Sequence, residues 1–169
     1  MPAARTLTSP TDERERFVAL MAAHGGIVRK IAATYCRDRD ERADVAQEIA
    51  AELWQAFPRY DPARPFATWM YRVALNVAIS HVRVAARRHR THVPLDDGRV
   101  EGVADADTAA ALLTLERAVA ALDPLNRALL VLYLDDRSHR EIAEVLGIGE
   151  SNVGTRIGRL KERLRDALT

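Results

Sequence analysis

Two short helical patterns joined by a glycine-bearing turn constrain the fold most strongly, and they lie in residues 138–164. The first pattern, about Arg140 to Leu146, places its apolar residues on one face. Gly147 follows it and supplies the left-handed residue that commonly ends a helix. The second pattern forms one apolar stripe at spacings of four, three and four, made of Val153, Ile157, Leu160 and Leu164. We therefore predict two helices that cross closely through facing apolar stripes.

The other face of the second helix is polar and basic. It consists of Ser151, Asn152, Thr155, Arg156 and Arg159. Arginine can form two hydrogen bonds with guanine, asparagine can do so with adenine, and hydroxyl groups reach phosphates. A helix-turn-helix places a second helix of this kind in the DNA major groove. The pattern predicts DNA binding; the alternative is a helical hairpin packed in a bundle with a merely solvated polar face.

The rest of the chain predicts an all-α fold of two small helical domains. Ala, Leu, Glu and Arg are abundant, Pro is confined to turns and helix starts, and no strand alternation is present. Helical periodicity stops in residues 93–108, where five carboxylates face the single Arg99, which indicates a flexible acidic linker. We predict domains at residues 1–92 and 109–169, with the helix-turn-helix in the second.

Two helical segments are predicted at the start of the first domain. One covers about residues 11–35 and is bent at Gly25 and Gly26. The next covers residues 40–57, with apolar residues on one side. Its other side is polar and acidic and includes Asp44, Gln47 and Glu48. This acidic face is a candidate binding surface.

A third helix is predicted to begin at Phe66, after a loop that holds three prolines. Its core side is predicted to carry Phe66, Met70, Val73 and Val77. A stripe along another face carries Arg72, Asn76, Ser80, Arg83, Arg87 and Arg90, with no carboxylate between Asp61 and Asp96. Such a stripe can follow a phosphate backbone, although a solvated face is the alternative. Phe66, Trp69 and Tyr71 offer flat surfaces for an unstacked base, with core packing as the alternative for each.

Composition narrows the classes of function. The chain is 48% hydrophobic and 29% charged, as in a globular protein. Cys36 is the one cysteine, so we exclude an internal disulfide and any cysteine-based metal cage, predict no metal site, and interpret Cys36 as a small buried hydrophobe. The five histidines lack metal-ligand spacing, and no glycine-rich phosphate loop is present. We predict neither enzymatic activity nor a cofactor, and we expect a cytoplasmic protein without membrane insertion.

Three blocks of sequence together resemble the bacterial sigma-70 family. They are DVAQEI at residues 44–49, FATWMYRVALNVA at 66–78, and residues 122–165 around the helix-turn-helix. The resemblance covers roughly residues 12–166 and is closest to the extracytoplasmic-function, or group IV, RNA polymerase sigma factors. It implies a region 2-like domain and a region 4-like domain that bind core RNA polymerase and promoter DNA.

The resemblance also implies a role for each polar face. Residues matching Asp44, Gln47 and Glu48 bind core polymerase in that family. Residues of the third helix that match Trp69, Arg72 and Asn76 recognise and help open the −10 element; Arg83 and Arg87, further along the basic stripe, are expected to bind the same DNA. Ser151, Asn152, Thr155, Arg156 and Arg159 match the helix that reads the −35 element. The family is commonly restrained by an anti-sigma factor, so a regulator of this kind is expected.

Two other interpretations remain open from the sequence. A helix-turn-helix regulator that acts without core polymerase would share residues 138–164, but it would need neither the acidic face at Asp44 nor the separate basic stripe. A protein-interaction bundle would be favoured if the chain failed to bind DNA at low salt, where phosphate contacts are strongest.

Two small domains on a flexible linker can also be held together in a compact arrangement. Such an arrangement would hide the acidic face and the recognition helix at once.

Overall fold

The computed structural model describes residues 10–89 and 106–168, which are helical and contain no strand. The helices are α1 (Pro10–His24), α2 (Gly26–Tyr35), α3 (Arg39–Ala56), α4 (Phe66–His89), α5 (Ala106–Ala120), α6 (Pro124–Leu134), α7 (His139–Leu146) and α8 (Glu150–Leu168). A 3₁₀ turn, Phe57–Arg59, follows α3. The predicted all-α class is confirmed. The predicted linker, residues 93–108, lies outside the described residues except for its last three positions, which begin α5.

Local sequence signals fix the first helices. The predicted bend is present, because α1 and α2 meet at Gly25 at an angle of 60°. The Asp38 carboxylate accepts hydrogen bonds from the backbone N–H groups of Asp40 and Glu41, which start α3 and hold the pKa of Asp38 below its usual range. No single described helix is long and apolar enough to cross a membrane; α1 and α2 together reach that length and composition, with the bend between them.

The core of the N-terminal domain forms where α2, α3 and α4 pack together. Its fully covered side chains include Ile31, Val45, Ile49, Leu53, Met70 and Leu75. The predicted inward face of α4 was partly wrong, since Val73 and Val77 are only half-buried whereas Ala74 and Ala78 are completely buried. The small side chains of Ala74 and Ala78 allow neighbouring helices to approach closely. The buried face of α4 is therefore rotated from the predicted face by about one residue, or 100° around the helix axis.

The C-terminal domain confirms the predicted helix-turn-helix in α7 and α8. The Ser138 hydroxyl accepts from the backbone N–H of Glu141, and the Glu141 carboxylate accepts from the backbone N–H of Ser138. These bonds begin α7 and lower the pKa of Glu141. Gly147 ends α7 in the left-handed conformation, at φ 66°. In α8, Val153, Ile157 and Leu160 are buried and Leu164 is half-buried, as predicted.

The two domains pack directly against each other. Helix α6 contacts α2 and α4, and α7 also contacts α4. The Tyr35 hydroxyl donates a hydrogen bond of 2.7 Å to the carbonyl of Pro124. Asp135, just after α6, accepts hydrogen bonds from Lys30 and from the Tyr71 hydroxyl. One hydrophobic core consequently runs through both domains.

Candidate nucleic-acid interface

Helix α8 presents the predicted polar face to solvent. Ser151, Asn152, Thr155 and Arg159 are exposed, and Arg156 is half-buried. The apolar stripe on the opposite side is covered by the rest of the C-terminal domain, so this orientation of α8 is fixed by packing. The polar face of α8 is therefore oriented by packing and accessible. It has the exposure that insertion into a DNA groove requires.

One hydrogen bond organises the centre of this face. The Arg156 Nε donates to the Asn152 Oδ1 at 3.0 Å, one helical turn away. The two side chains border a shallow cleft of about 240 Å³ that is also lined by Asn126, Arg159, Leu160 and Arg163. Sequence reasoning missed Asn126 and Arg163. Arg163 lies one turn beyond the predicted face on α8, whereas Asn126 belongs to α6 and is brought there only by tertiary packing.

The predicted basic stripe lies along the solvent side of α4. Arg72, Asn76, Ser80, Arg83 and Arg87 are all exposed, while Ala74, Leu75 and Ala78 on the other side of the helix are buried. Arg90 lies outside the described residues. Because these exposed positions follow one another at spacings of three and four, they form one polar row, which we call the basic row, with Arg72 near its start and Arg83 and Arg87 near its end. Such a row can bind successive phosphates of a nucleic-acid strand.

Aromatic side chains cluster at the start of α4. Trp69 is half-buried, with its ring centre 5.0 Å from Tyr60 and 5.3 Å from Phe66. Phe66 itself is buried, so it serves packing. The suggestion that Tyr71 offers a surface for a base was wrong, because Tyr71 is only 2% exposed and donates its hydroxyl to Asp135 of the other domain. Trp69 keeps an accessible part from which a base could be contacted.

The loop that precedes α4 is held in place from both sides. The Tyr60 hydroxyl donates to the carbonyl of Arg64 at 2.6 Å. The Arg64 guanidinium lies 2.8 Å from the carboxylate of Glu144 on α7. This ion pair is largely exposed, so it contributes little to stability. It nevertheless ties the loop of the N-terminal domain to the first helix of the helix-turn-helix.

The acidic face of α3 is also exposed. Asp44, Gln47 and Glu48 all reach solvent, and the opposite side of α3 is buried in the core. Trp54, near the end of α3, is 43% exposed. It lies two helical turns after Gln47 and therefore continues the same face. Its ring centre is 5.1 Å from that of Phe17 in α1.

The contact between the domains centres on Asp135. Burial alone would raise the pKa of this carboxyl, but hydrogen bonds from Lys30 and Tyr71 and the charges of Lys30 and Arg137 outweigh it and hold the pKa below its usual range. Burial and the neighbouring carboxylate raise the pKa of the Tyr71 phenol, which stays protonated as a donor. The Arg137 guanidinium lies 5.6 Å from the centre of the Tyr71 ring. In this arrangement the acidic face of α3 and most of the α8 face remain exposed, so packing of the domains does not hide them.

Comparison with known families matches both domains. The sigma-70 region 2 family matches residues 20–88, which contain α2, α3 and nearly all of α4. The sigma-70 region 4 family matches residues 112–164, which contain the helix-turn-helix. The matches therefore cover the acidic face, the basic row and the recognition helix. The alternative of a helix-turn-helix regulator that acts without core polymerase is not better supported.

Individual relatives agree with this assignment. The ECF RNA polymerase sigma factor SigW of Bacillus subtilis is 32% identical over 143 residues, which are 76% of this chain and 75% of SigW. The RNA polymerase sigma factor CnrH of Cupriavidus metallidurans is 31% identical over 160 residues, covering 88% and 84% of the two chains. The solved structure of CnrH with the cytosolic domain of CnrY aligns with a TM-score of 0.66 at 27% identity, over 92% of this chain and 88% of that chain. The structure of the sigma factor RpoE with the anti-sigma factor NepR from Bartonella quintana shares the fold, with a TM-score of 0.71 at 17% identity over 94% and 97% of the chains. The chain therefore belongs to the sigma-70 family, as an ECF RNA polymerase sigma factor and thus a transcription initiation factor.

Proposed function

We propose that this protein docks on core RNA polymerase and directs it to promoters through three separate faces. Helix α3 would bind the polymerase, α4 the −10 element and α8 the −35 element. The observation that carries the proposal is that each face is exposed while the opposite side of its helix is buried. The protein would act in the cytoplasm, where polymerase and DNA are found, and would perform no catalysis of its own.

The proposed polymerase face combines charge with an aromatic anchor. Asp44 and Glu48 supply negative charge, which steers a partner with a basic surface. Trp54 adds exposed apolar area on the same helix, next to Phe17 and Val18. Tryptophan is enriched among the residues that contribute most to protein interfaces. We therefore add Trp54 to the docking residues that the sequence indicated.

The proposed −10 surface joins stacking to phosphate binding. Trp69 lies at the start of α4, and Arg72 and Asn76 follow it on the exposed side. Opening a promoter requires a base to leave the stack, and an aromatic side chain compensates for part of the lost stacking. Arg83 and Arg87 would hold the backbone further along the same helix. This arrangement suits one unpaired strand.

The proposed −35 surface is the exposed face of α8. Asn152 and Arg156 lie at its centre and Arg159 lies one turn further, where base edges of the major groove can be reached. Ser151 and Thr155 would contact phosphates. Asn126 and Arg163 border the same cleft and would extend the contact to the flanking backbone.

Use of both DNA faces at once requires the domains to separate. The −10 and −35 elements lie about 25 base pairs apart, which is about 85 Å of B-form DNA. A compact chain of this length has a radius of gyration of only about 15 Å. With Arg64 of one domain 2.8 Å from Glu144 of the other, the packed form is too small to reach both elements. We infer that the contacts around Asp135 keep the free protein closed and that polymerase binding opens it.

A regulator would act on the same equilibrium between the closed and the open protein. RpoE of Bartonella quintana was solved with an anti-sigma factor and CnrH with the cytosolic domain of CnrY. We propose that an anti-sigma factor likewise binds this chain, either by covering the α3 face or by stabilising the closed arrangement. Because the α3 face is exposed in the closed form, covering it needs no rearrangement of the domains.

Run-off transcription over a fragmented genomic library, with purified core polymerase and sequencing of transcript 5′ ends, tests the proposal. We expect new starts that share two motifs at a fixed spacing. The double variant Asp44→Lys and Glu48→Lys should abolish these starts and core binding, whereas Glu15→Lys on α1 should leave both unchanged. No new starts despite DNA binding by the protein alone would refute the proposal and favour an operator-binding regulator.

A further inference from the structure

Three potential metal ligands meet at the junction of α2, α3 and α4. They are Cys36 at the end of α2, Glu41 in the first turn of α3 and His81 in the middle of α4. The thiol sulfur, a carboxylate oxygen and a ring nitrogen all lie within 4.8 Å of one another. Cys36 and Glu41 are five residues apart, whereas His81 lies 40 residues further along the chain. Tertiary packing brings His81 to the other two.

From this cluster we propose that Cys36, Glu41 and His81 form a binding site for a transition-metal dication of the Zn²⁺ class. Thiolate sulfur, imidazole nitrogen and carboxylate oxygen are the three donor types that Zn²⁺ takes from proteins. Hard cations such as Mg²⁺ and Ca²⁺ prefer sites made of oxygen alone, so the sulfur and nitrogen select against them.

The distances fit such an ion. Metal–ligand bonds of about 2.0 to 2.3 Å in a tetrahedral site place the donor atoms about 3.5 Å from each other. The His81 Nε2 is 3.0 Å from the Glu41 Oε1, and the remaining separations do not exceed 4.8 Å. Side-chain shifts of about an ångström would therefore be enough. The three backbones need not move, because each ligand comes from a packed helix or its end.

The three proposed ligands differ in burial, so the site has a buried side and a side that faces solvent. Cys36 is 2% exposed, whereas the side chains of His81 and Glu41 are 29% and 40% exposed. An ion can enter from the solvent side, and a water molecule can complete its coordination there. The Arg42 Nε donates to the Cys36 carbonyl at 2.8 Å, which fixes the backbone of the buried ligand.

The position of the site determines its effect. The ion would connect all three helices that build the core of the N-terminal domain. The acidic face of α3 begins three residues after Glu41, and the basic row of α4 continues two residues after His81. Bound metal would therefore stabilise the scaffold of both proposed interfaces without touching polymerase or DNA.

Cobalt titration of the full-length, metal-free protein tests the site directly. We expect one Co²⁺ per chain, with a thiolate-to-metal charge-transfer band in the near ultraviolet and displacement by Zn²⁺. Cys36→Ser should remove the charge-transfer band, and His81→Gln should weaken binding at least tenfold. His139→Gln, at an exposed histidine in the other domain, is the matched control and should bind like the unchanged protein.

A stability measurement gives a second readout. One equivalent of Zn²⁺ should raise the thermal midpoint of the unchanged protein and of His139→Gln by several degrees, but not that of His81→Gln. His81 is partly exposed, so this variant should keep its helical circular dichroism. Absence of a charge-transfer band at stoichiometric Co²⁺, or its persistence in Cys36→Ser, would overturn the proposal.

Discussion

Replacing Asp135 by Asn should loosen the packing of the two domains. The carboxylate accepts from the Tyr71 hydroxyl and pairs with Lys30, and both partners belong to the N-terminal domain. The asparagine side chain has nearly the same shape and retains one oxygen that can accept from Tyr71. It lacks the negative charge. The substitution therefore removes the electrostatic part of the contact while it leaves no cavity.

The size of the effect follows from the exposure of each partner. A hydrogen bond to a charged group stabilises a folded arrangement by about 1.5–3 kcal/mol, and a hydrogen bond between neutral groups by about 0.5–1.5 kcal/mol. The Lys30 side chain is 49% exposed, so solvent screens its pair with Asp135 to about 0–1 kcal/mol. Exchange of the charged for the neutral hydrogen bond loses about 1–1.5 kcal/mol, so the expected loss in docking free energy, with the Lys30 pair, is about 1–2.5 kcal/mol. This corresponds to about a 5- to 70-fold fall in the ratio of closed to open protein.

Energy transfer between dyes on the two domains measures this ratio. Ala51→Cys on α3 and Glu162→Cys on α8 provide exposed attachment points. Burial and then the charge of Glu41 raise the pKa of the Cys36 thiol to about 11, so it should not compete for the dyes. In a urea titration, energy transfer in Asp135→Asn should be lost at a lower urea concentration than in the unchanged protein, before helical circular dichroism changes.

Asp136→Asn is the matched control. Asp136 is exposed and has a positive φ of 53°, a conformation that Asn accepts readily. The substitution removes one negative charge at the neighbouring position without altering the Tyr71 or Lys30 contacts. If Asp135→Asn lost energy transfer at the same urea concentration as Asp136→Asn, the reasoning about Asp135 would be refuted.

Three further predictions concern DNA recognition, the turn and pH. Arg159→Ala should weaken −35 binding by about 1–3 kcal/mol if the guanidinium reads a base edge; an unchanged footprint and affinity would place Arg159 outside the interface. Gly147→Ala should lower the free energy of unfolding by about 1–2 kcal/mol because its φ is 66°, whereas Gly149→Ala should cost less, as urea unfolding would show. Packing of the domains lowers the pKa of Asp135, so the stabilisation of the closed form by this carboxylate is complete above the ordinary carboxyl pKa of about 3.9. It is lost as the pH falls through the lower pKa of the folded protein. Energy transfer between the dyes should therefore decrease on acidification, and should decrease less in Asp135→Asn.

Helix positions and exposed polar faces were largely predictable from local pattern. The bend at Gly25, the left-handed Gly147 and the buried stripe of α8 follow from steric and periodic rules that act within a few residues. The exposed face of α3 and the basic row of α4 follow from the same periodicity. Prediction failed where a partner helix decides the outcome, as with the rotated core face of α4 and the burial of Tyr71.

The sequence by itself determined an all-α chain, the polar faces of α3, α4 and α8, and membership of the sigma-70 family. It could do so because helical periodicity and capping depend on neighbours along the chain. Only the tertiary structure decided that Asp135 meets Tyr71 and Lys30, that Asn126 joins the α8 cleft, and that Cys36, Glu41 and His81 meet. The residues that meet in each of these three groups are at least 26 positions apart in the sequence, except for Cys36 and Glu41 and for the residues that lie together on α8. Their meeting depends on helix crossings set by the fit of whole buried surfaces, and no short-range rule of sequence encodes that fit.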